Sequence, residues 1–342
     1  MNKQLVESFH LDDDKSILCL SQEVEEEYKV FYLNSNNPED MDQLVEVSRE
    51  MRLVFDTNKQ ESKRSYYAWQ NGDDYRIFAD RILKVDGMFN FRDIGGYPAM
   101  DNKTVQWGRL YRGDHLFNLD DSGLEFVEGL KIDTIIDLRS DAELLEYPNK
   151  SIGKATRTLH LDPKAHAAEL SAALMDGNSK PTKNQNSETL KRYHDEMSKQ
   201  QITFVNDEHC KKVFGTMLHE IANNPKDNYY IHCRGGKDRT GYALMLIEGL
   251  LGVPVEYMVY DYILTNTARK NKNIAYWNKF YGITKDISTA NTLYGIFAAV
   301  DDFIIASINE IMTHYGGFES YVLNELGLTF EEVTKIRSNF LE

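Results

Sequence analysis

The chain has 342 residues, of which 42% are hydrophobic and 27% are charged, an ordinary composition for a globular protein. This length is sufficient for one large domain or two domains of average size. The formal net charge of -15 disfavours nucleic acid or an anionic membrane as the main partner, because both require a basic surface. An anionic substrate would therefore have to be attracted by a local basic pocket.

Cysteine content and hydropathy bear on the cellular compartment. The three cysteines, Cys19, Cys210 and Cys233, form no C-x-x-C pair, so a disulfide framework is not expected. The first residues lack the apolar core of a signal peptide, and no run approaches the roughly 18 apolar residues of a membrane span. The sequence predicts a cytoplasmic protein without an integral membrane segment. A chain whose export signal had been removed would show the same pattern.

Residues 1–84 alternate short aromatic and β-branched runs with polar turns, which predicts a small β domain of the sandwich kind. The predicted strands are residues 16–20, 28–33, 53–55, 66–69, 75–79 and 81–85. Residues 39–51 are compatible with either a helix or a strand.

From residue 85 to residue 342 the pattern indicates an α/β fold with a parallel central sheet flanked by helices. Residues 134–138 and 229–231 are predicted to be buried strands, and residues 120–130 and 242–251 to be helices. The polar stretch 163–201 is either a solvated loop or a lid over a site. The chain beyond residue 254 is predicted to be a series of helices.

One segment has the composition of a phosphate-binding loop. Residues 232–241 read His-Cys-Arg-Gly-Gly-Lys-Asp-Arg-Thr-Gly, and they lie between a predicted strand and a predicted helix. Gly235 and Gly236 permit a tight backbone turn, so that several amide groups can approach one phosphate. The N-terminus of the following helix favours both the phosphate and a Cys233 thiolate.

The remaining residues of this segment fit a two-step displacement at phosphorus. Cys233 would be the nucleophile, and Arg239 could bind two phosphate oxygens in a bidentate fork. Thr240 is placed to donate a hydrogen bond to the sulfur. Water would then hydrolyse the phosphocysteine, with an acid/base residue serving both steps. No metal or other cofactor is required, because Arg239 and the loop amides supply the positive field.

The resemblance to a known family extends far beyond this loop. The segments 90–97 (NFRDIGGY), 107–112 (WGRLYR), 136–140 (IDLRS), 261–266 (DYILTN) and 321–328 (YVLNELGL) occur in the order found in the bacterial tyrosine phosphatase family. The loop itself resembles that family's His-Cys-x-x-Gly-Lys-Asp-Arg-Thr-Gly sequence. The resemblance covers about residues 83–342 and leaves the first eighty or so residues without a counterpart.

This resemblance implies the cysteine-phosphatase fold and activity on phosphotyrosine, and in some members on phosphoserine, phosphothreonine or phosphoinositides. It also carries over Cys233 as nucleophile, Arg239 as phosphate clamp, and Lys237 and Asp238 as loop residues of this branch. A phosphopeptide-binding module with an inactive site is the alternative of another class, and the intact Cys233, Arg239 and Thr240 argue against it.

Two basic loop residues bear on the substrate. Arg234 and Lys237 exceed what one phosphate monoester requires, which favours some activity on phosphoinositides. Alternatively, these side chains point to solvent or pair with Asp93 or Asp137. Both aspartates are included among the candidate phosphate-site residues, and Asp93 is also a candidate structural partner for Arg92, Arg112 or Arg139.

The general acid remains open at the sequence level. No Trp-Pro-Asp tripeptide, the usual source of the acid in cysteine phosphatases, is present. Asp238 is the first candidate, Asp137 at the end of a predicted strand is the second, and Asp162 before the insertion is the third.

Overall fold

A computed structural model describes residues 5–12, 15–37, 39, 41–57, 64–154, 156–165 and 187–342. The N-terminal part folds into two antiparallel sheets, with strand orders β1-β2-β5 and β4-β3-β6-β7. The strands are β1 (Val6–Asp12), β2 (Lys15–Leu20), β3 (Tyr28–Leu33), β4 (Met41–Ser48), β5 (Arg52–Asp56), β6 (Tyr66–Asn71) and β7 (Asp74–Phe78). Apolar side chains of both sheets form one buried cluster that includes Leu18, Val30, Phe55 and Trp69.

Five of the six predicted N-terminal strands are present, and three differences have physical reasons. The helical alternative for residues 39–51 is wrong, because β4 pairs with β3. The predicted strand at 81–85 makes only an isolated bridge through Ile82, since Arg81 is used as a buried anchor. Strand β1 was not predicted because its polar residues, such as Glu7, are buried in specific contacts.

The second part contains a five-stranded sheet of order β11-β10-β12-β9-β8. Its strands are β8 (Arg92–Asp93), β9 (Leu110–Gly113), β10 (Thr134–Asp137), β11 (Arg157–His160) and β12 (Tyr229–His232). Four of these strands are parallel, whereas the short edge strand β8 runs antiparallel to β9. The predicted parallel sheet is therefore mixed, because the chain enters it from the N-terminal sheets through a two-residue antiparallel pairing.

Helices surround this sheet and account for most of the C-terminal sequence. They are α1 (Asp121–Gly129), α2 (Asp141–Glu146), α3 (Ser187–Asn206), α4 (Glu208–Asn223), α5 (Asp238–Leu250), α6 (Val255–Ala268), α7 (Lys270–Thr284), α8 (Ile287–Phe297), α9 (Asp301–His314), α10 (Phe318–Asn324) and α11 (Phe330–Phe340). Apolar residues of the sheet and of helix α5, which is buried except at Gly249, belong to the largest hydrophobic cluster of the described residues. None of the helices in the described residues has both the length and the apolar content to cross a membrane.

The strand predictions at 134–138 and 229–231 are confirmed, as is the helix beginning after Asp120, whose side chain accepts a hydrogen bond from the amide of Gly123. Helix α5 begins at Asp238, four residues before the predicted start. The predicted lid segment 163–201 includes residues 166–186, which lie outside the described part. Its last residues belong to α3 rather than to a loop, because side chains such as Met197 are buried in the core.

A buried ion pair joins the N-terminal sheets to the rest of the chain. Arg81 donates from Nε to Glu7 at 2.7 Å, and its guanidinium lies 3.9 Å from the ring centroid of Tyr97 and 4.6 Å from that of Trp107. Glu7 also accepts a hydrogen bond from the hydroxyl of Tyr260 in α6 at 2.6 Å. The two parts of the chain thus share one network of buried polar groups.

Replacement of Arg81 by methionine is expected to lower the free energy of unfolding by about 3–5 kcal/mol, because it leaves the Glu7 charge buried without its partner. Urea denaturation measures this loss. Arg49→Met is the control, since Arg49 pairs with Glu27 on the surface and such a pair contributes about 0–1 kcal/mol. Equal effects of the two substitutions would contradict the assignment of Arg81 as the buried anchor.

Candidate active site

The phosphate-loop sequence lies between a strand and the N-terminus of a helix, a geometry suited to binding an anion. Residues 233–237 connect the carboxyl end of β12 to the N-terminus of α5, at the sheet edge where the strands end. Cys233 is buried, with 3% of its surface exposed. His232 Nδ1 lies 2.9 Å from the carbonyl oxygen of Cys233, and Nε2 lies 3.0 Å from Asn149 Nδ2. The histidine therefore fixes the backbone that carries the candidate nucleophile.

Gly236 is required by the shape of the loop. Its φ of +64° lies in the left-handed region, and a Cβ atom there would come within 2.3 Å of the carbonyl oxygen of Gly113. A backbone neighbour at that distance cannot give way as a flexible side chain can. The loop therefore packs directly against the end of β9, and only glycine fits.

Gly236→Ala is expected to reduce turnover at least tenfold and to lower the melting temperature. The left-handed conformation alone costs about 1–2 kcal/mol for a residue with a Cβ atom, and the contact with Gly113 adds to this. Gly282→Ala provides the control, because a Cβ at that helical position meets no atom within 4 Å. If both alanine variants keep full turnover, the loop does not need the observed backbone conformation.

Two side chains outside the loop hold its carbonyl groups. Asn90 donates from Nδ2 to the carbonyls of Gly235 and Gly236 at 2.9 and 3.0 Å. Arg112 donates to the carbonyls of Gly236 and Lys237 at 2.8 and 3.3 Å, and it is itself paired with Asp261. Neither Asn90 nor Arg112 was assigned to the site from the sequence, although both lie in segments that resemble the tyrosine phosphatase family.

The amide groups that follow these carbonyls point the other way. A planar trans peptide directs its N–H opposite to its C=O, so the amides of Gly236, Lys237 and Asp238 face away from Asn90 and Arg112. No hydrogen bond links these three amides to any residue in the described ranges. Such a row of donors at a helix N-terminus is suited to binding the oxygens of a phosphate group.

Arg239 is oriented by a carboxylate that was not predicted from the sequence. Its guanidinium forms a bidentate pair with Glu143, at 2.6 and 2.9 Å, and donates to the carbonyl of Leu138 at 3.1 Å. Burial opposes ionisation of Glu143, but the Arg239 guanidinium outweighs it and holds the pKa of that carboxyl below its usual value. Arg239 thus occupies a fixed position in the first turn of α5.

The sequence contains a local signal for the position of Glu143, though not for its function. Ser140 and Glu143 form a capping box at the start of α2, in which the serine and glutamate side chains each accept a backbone hydrogen bond. Ser140-x-x-Glu143 could have been identified as a helix start. Its contact with Arg239, nearly a hundred residues later, is a consequence of the tertiary structure.

Asp238 and Lys237 differ in what surrounds them. Asp238 is buried and accepts a hydrogen bond from the Tyr262 hydroxyl at 2.7 Å. The Lys237 ammonium donates to the carbonyls of Ala298 and Ile296, at 3.1 and 3.4 Å, and burial lowers its pKa. Lys237 therefore anchors the carboxyl end of α8, and the pairing of Lys237 with Asp93 or Asp137 that the sequence allowed is wrong.

Arg234 lies at the opposite side of the loop, against an aromatic ring. Its guanidinium is 4.4 Å from the ring centroid of Tyr147, and 3.9 Å separates it from the carboxylate of Glu146. His115 stacks on the same tyrosine ring, and burial lowers the pKa of His115 to about 4.

Thr240 Oγ1 is buried and has no hydrogen-bond partner among the described residues, so the predicted bond to the Cys233 sulfur is not formed here.

Asp137 is placed at the sheet edge as predicted, but its contacts are structural. Its carboxylate accepts hydrogen bonds from the Arg139 guanidinium at 2.9 and 2.6 Å, and also from the Asn149 amide. Although burial opposes ionisation, His232 and Arg139 hold the pKa of Asp137 well below its usual range. Both carboxylate oxygens of Asp137 are engaged by Arg139, which argues against the second acid candidate.

Asp93 is fully buried and lies away from the loop contacts. It accepts hydrogen bonds from the amides of Gly95 and Gly108 at 2.8 Å, and its ion-pair partner is Arg64 at 3.1 Å. The expected partners Arg92, Arg112 and Arg139 are paired elsewhere, the first two with Asp261 and the third with Asp137. No contact between Asp93 and the loop is found in the described part of the chain.

Three further residues complete the surroundings. Asp162, the third acid candidate, closes its own turn by accepting from the amide of Lys164 at 2.8 Å. Arg269, at the junction of α6 and α7, is buried, and its Nη1 lies 3.0 Å from the position that a Cβ of Gly235 would take. Lys272 lies 4.2 Å from the ring centroid of Phe89, and burial lowers its pKa to about 8. Arg269 and Lys272 were not predicted, because a tertiary contact brings them to the loop.

Comparison with known proteins agrees with this geometry. The model of the tyrosine phosphatase family matches residues 83–342, so the chain belongs to that family and is a phosphatase. A protein of Cupriavidus necator named as a tyrosine-protein phosphatase is 24% identical over 260 residues, which cover 76% of this chain and 88% of the relative. The triple-specificity protein phosphatase PtpB of Mycobacterium tuberculosis is 24% identical, with 76% of this chain and 99% of PtpB covered. The family resemblance and its extent, expected from the sequence motifs, are thereby confirmed.

Proposed function

We propose that the protein hydrolyses phosphotyrosine monoesters through a phosphocysteine intermediate, with Cys233 as nucleophile and Arg239 as phosphate clamp. The observation that supports this most strongly is the arrangement around the loop. Cys233 and Arg239 flank the amides of Gly236, Lys237 and Asp238, while Asn90 and Arg112 hold the opposite carbonyls. The site therefore offers a nucleophile, a fixed cation and several amide donors to one group.

The first displacement forms a bond from the Cys233 sulfur to phosphorus and breaks the ester bond to the leaving oxygen. Arg239, held by Glu143, binds two of the phosphate oxygens and stabilises the charge that they carry in the transition state. In the second displacement a water oxygen attacks phosphorus and the sulfur leaves. Inorganic phosphate is released and the cysteine thiolate is restored.

Proton transfer is assigned to Asp238. Its carboxyl would protonate the leaving oxygen in the first step and accept the proton of the attacking water in the second. The Tyr262 hydroxyl donates to Oδ1 of Asp238 at 2.7 Å, and Oδ2 lies 3.7 Å from the Lys237 ammonium. Asp162 remains the alternative acid, as it lies near the start of the predicted lid segment.

Asp238→Asn is expected to lower kcat on a phosphotyrosine peptide by roughly 10², the usual effect of removing an acid/base group. The loss should be smaller on p-nitrophenyl phosphate, because its leaving group needs little protonation. Asp73→Asn, on an exposed turn, is the control and should leave both rates unchanged. A loss below tenfold on the peptide, with an unaltered pH profile, would assign the acid to another residue.

Phosphoinositides are the second candidate substrates, and basic side chains near the loop favour them. Arg234 belongs to the loop, Arg269 approaches Gly235, and Lys272 lies within the electrostatic reach of both arginines. These three cations exceed what a single phosphate monoester requires. The name of PtpB describes a phosphatase of three specificities, which supports testing phosphoserine and phosphothreonine as well.

The test is phosphate release from phosphotyrosine, phosphoserine and phosphothreonine peptides and from an inositol lipid panel, with reductant and without added metal. Cys233→Ser is the blank for each substrate. Release of phosphate from phosphotyrosine peptides above this blank supports the proposal. Release from lipids alone would identify phosphoinositides as the substrates instead. Binding of phosphopeptides without any release would support the phosphopeptide-binding module instead.

We also propose a division into a β-rich unit at residues 1–84 and a phosphatase unit at residues 85–342. Most buried apolar residues of the first part form a cluster of their own, which supports the division, although Leu5 and Leu83 pack with the second part and Trp107 with the first. Residues 163–201 are proposed to include a lid. A cytoplasmic location is proposed from the three cysteines, all of which are free thiols.

A further inference from the structure

Helices α7 and α8 form a hairpin (residues 270–297), and the residues that flank it, Arg269 and Ala298, both contact the loop that carries Cys233. At its start, Arg269 approaches Gly235, and Lys272 lies over the ring of Phe89. At its end, the carbonyl of Ala298 accepts a hydrogen bond from Lys237. The base of the α7–α8 hairpin is therefore attached to the loop of the proposed active site.

The inner side of the α7–α8 hairpin is well packed. Phe280 and Phe297 stack with their ring centroids 5.6 Å apart, within a cluster that also contains Ala290, Leu293 and Ile296. Trp277 donates from its indole nitrogen to Asn291 at 2.9 Å, which joins the two helices. The outer side chains of the hairpin therefore project from two helices that are packed together.

The outer side of the hairpin exposes apolar side chains, most of them near its turn. Ile283 and Ile287, on either side of the turn, are 55% and 59% exposed, and Ile274 and Tyr281 are exposed as well. Trp277 and Tyr281 stack at 5.3 Å, one helical turn apart. Scattered exposed apolar residues are normal, but a group of them at one turn marks an interaction surface.

The charge of the hairpin is opposite to that of the chain. Residues 270–297 contain four lysines and a single acidic residue, Asp286, whereas the whole chain carries a net charge of -15. Lys270, Lys279 and Lys285 are exposed, and Asp286 accepts hydrogen bonds from the first amides of α8. The net charge of the chain would repel an anionic surface, and this hairpin is a face that such a surface can approach.

We propose that the turn of the α7–α8 hairpin binds the surface of an anionic lipid bilayer. Exposed isoleucine and aromatic side chains interleaved with lysines are typical of elements that lie in the lipid interface, where the apolar groups enter the acyl boundary and the lysines meet the headgroups. Binding of lipid does not depend on the proposed chemistry. The role that we propose for lipid binding is to hold the Cys233 loop near phosphorylated groups at the membrane, and this role rests on the proposed phosphatase function.

The experiment is co-sedimentation of the full chain with phosphatidylcholine vesicles, pure or containing about one third phosphatidylserine, at low and physiological salt. The wild type should sediment with the anionic vesicles and not with the neutral ones. The double variant Ile283→Ser, Ile287→Ser should partition about a hundredfold less, near tenfold for each isoleucine withdrawn from the acyl boundary. Lys279→Gln and Lys285→Gln should each weaken partitioning by roughly fivefold.

A matched control carries serine at Met312 and Phe330, which are exposed apolar residues of α9 and α11. This control should bind vesicles as the wild type does. All variants should hydrolyse p-nitrophenyl phosphate at the wild-type rate, so a protein without any phosphatase activity would refute the proposed chemistry while the vesicle result stands by itself.

Several results would overturn the lipid proposal. They are absence of wild-type sedimentation at low salt, equal binding to neutral vesicles, and undiminished binding of the double isoleucine variant. A loss of kcat/KM on a soluble phosphopeptide in that variant, with vesicle binding unchanged, would identify the surface as a peptide-docking site instead.

Discussion

Replacement of Cys233 by serine is expected to abolish turnover, with kcat lower by about 10⁵ or more, the magnitude seen when a covalent nucleophile is removed. Serine has no thiol to attack phosphorus, so the proposed phosphocysteine cannot form. The measurement combines phosphate release with acid quenching of the wild type during turnover of a labelled substrate. Label should remain on the wild-type protein and be absent from Cys233→Ser.

The other two cysteines provide the control. Burial is the main reason why the pKa of Cys210 rises to about 12, and burial also raises the pKa of Cys19. Cys210 in addition donates from its sulfur to the carbonyl of Pro163 at 3.3 Å. Iodoacetate should therefore modify Cys233 first, and Cys210→Ser should keep its activity. Trapped label on a residue other than Cys233 would require a different nucleophile.

Arg239→Lys is expected to lower kcat by roughly 10²–10³ and to weaken the binding of inorganic phosphate. Lysine keeps the positive charge but cannot form the bidentate pair with Glu143, nor can it bind two phosphate oxygens in one plane. Steady-state kinetics and phosphate inhibition measure the two effects separately. Near-normal kcat in the lysine variant would show that charge alone is sufficient.

Glu143→Gln tests the positioning of Arg239 independently. It retains the shape of the side chain but removes the charge, so kcat should fall more than KM rises if Glu143 acts by orienting the guanidinium. Arg49→Lys, at a surface pair with Glu27, is the control for an arginine-to-lysine change and should have no effect. An unchanged kcat in Glu143→Gln would leave Arg239 positioned by the Leu138 carbonyl instead.

Local sequence predicted a good part of the fold. The apolar runs of β10 and β12 and the capping residue Asp120 were sufficient, because each depends on neighbours within a few positions. The errors arose where tertiary contacts outweigh local preference. Only half of the residues of strand β4 are polar, in a pattern that also suits a helix, and its pairing with β3 decides the structure. The region around Arg81 is defined by the ion pair with Glu7 rather than by strand pairing.

The sequence by itself determined the family and the phosphate loop, including the positions of Cys233, Arg239 and the two glycines. These residues are adjacent in the chain, so their spacing and residue types contain the relevant information. The tertiary structure alone decided how the loop is supported. Glu143, Asn90 and Arg112 come from distant segments, and buried charges acquire their partners only when the chain folds.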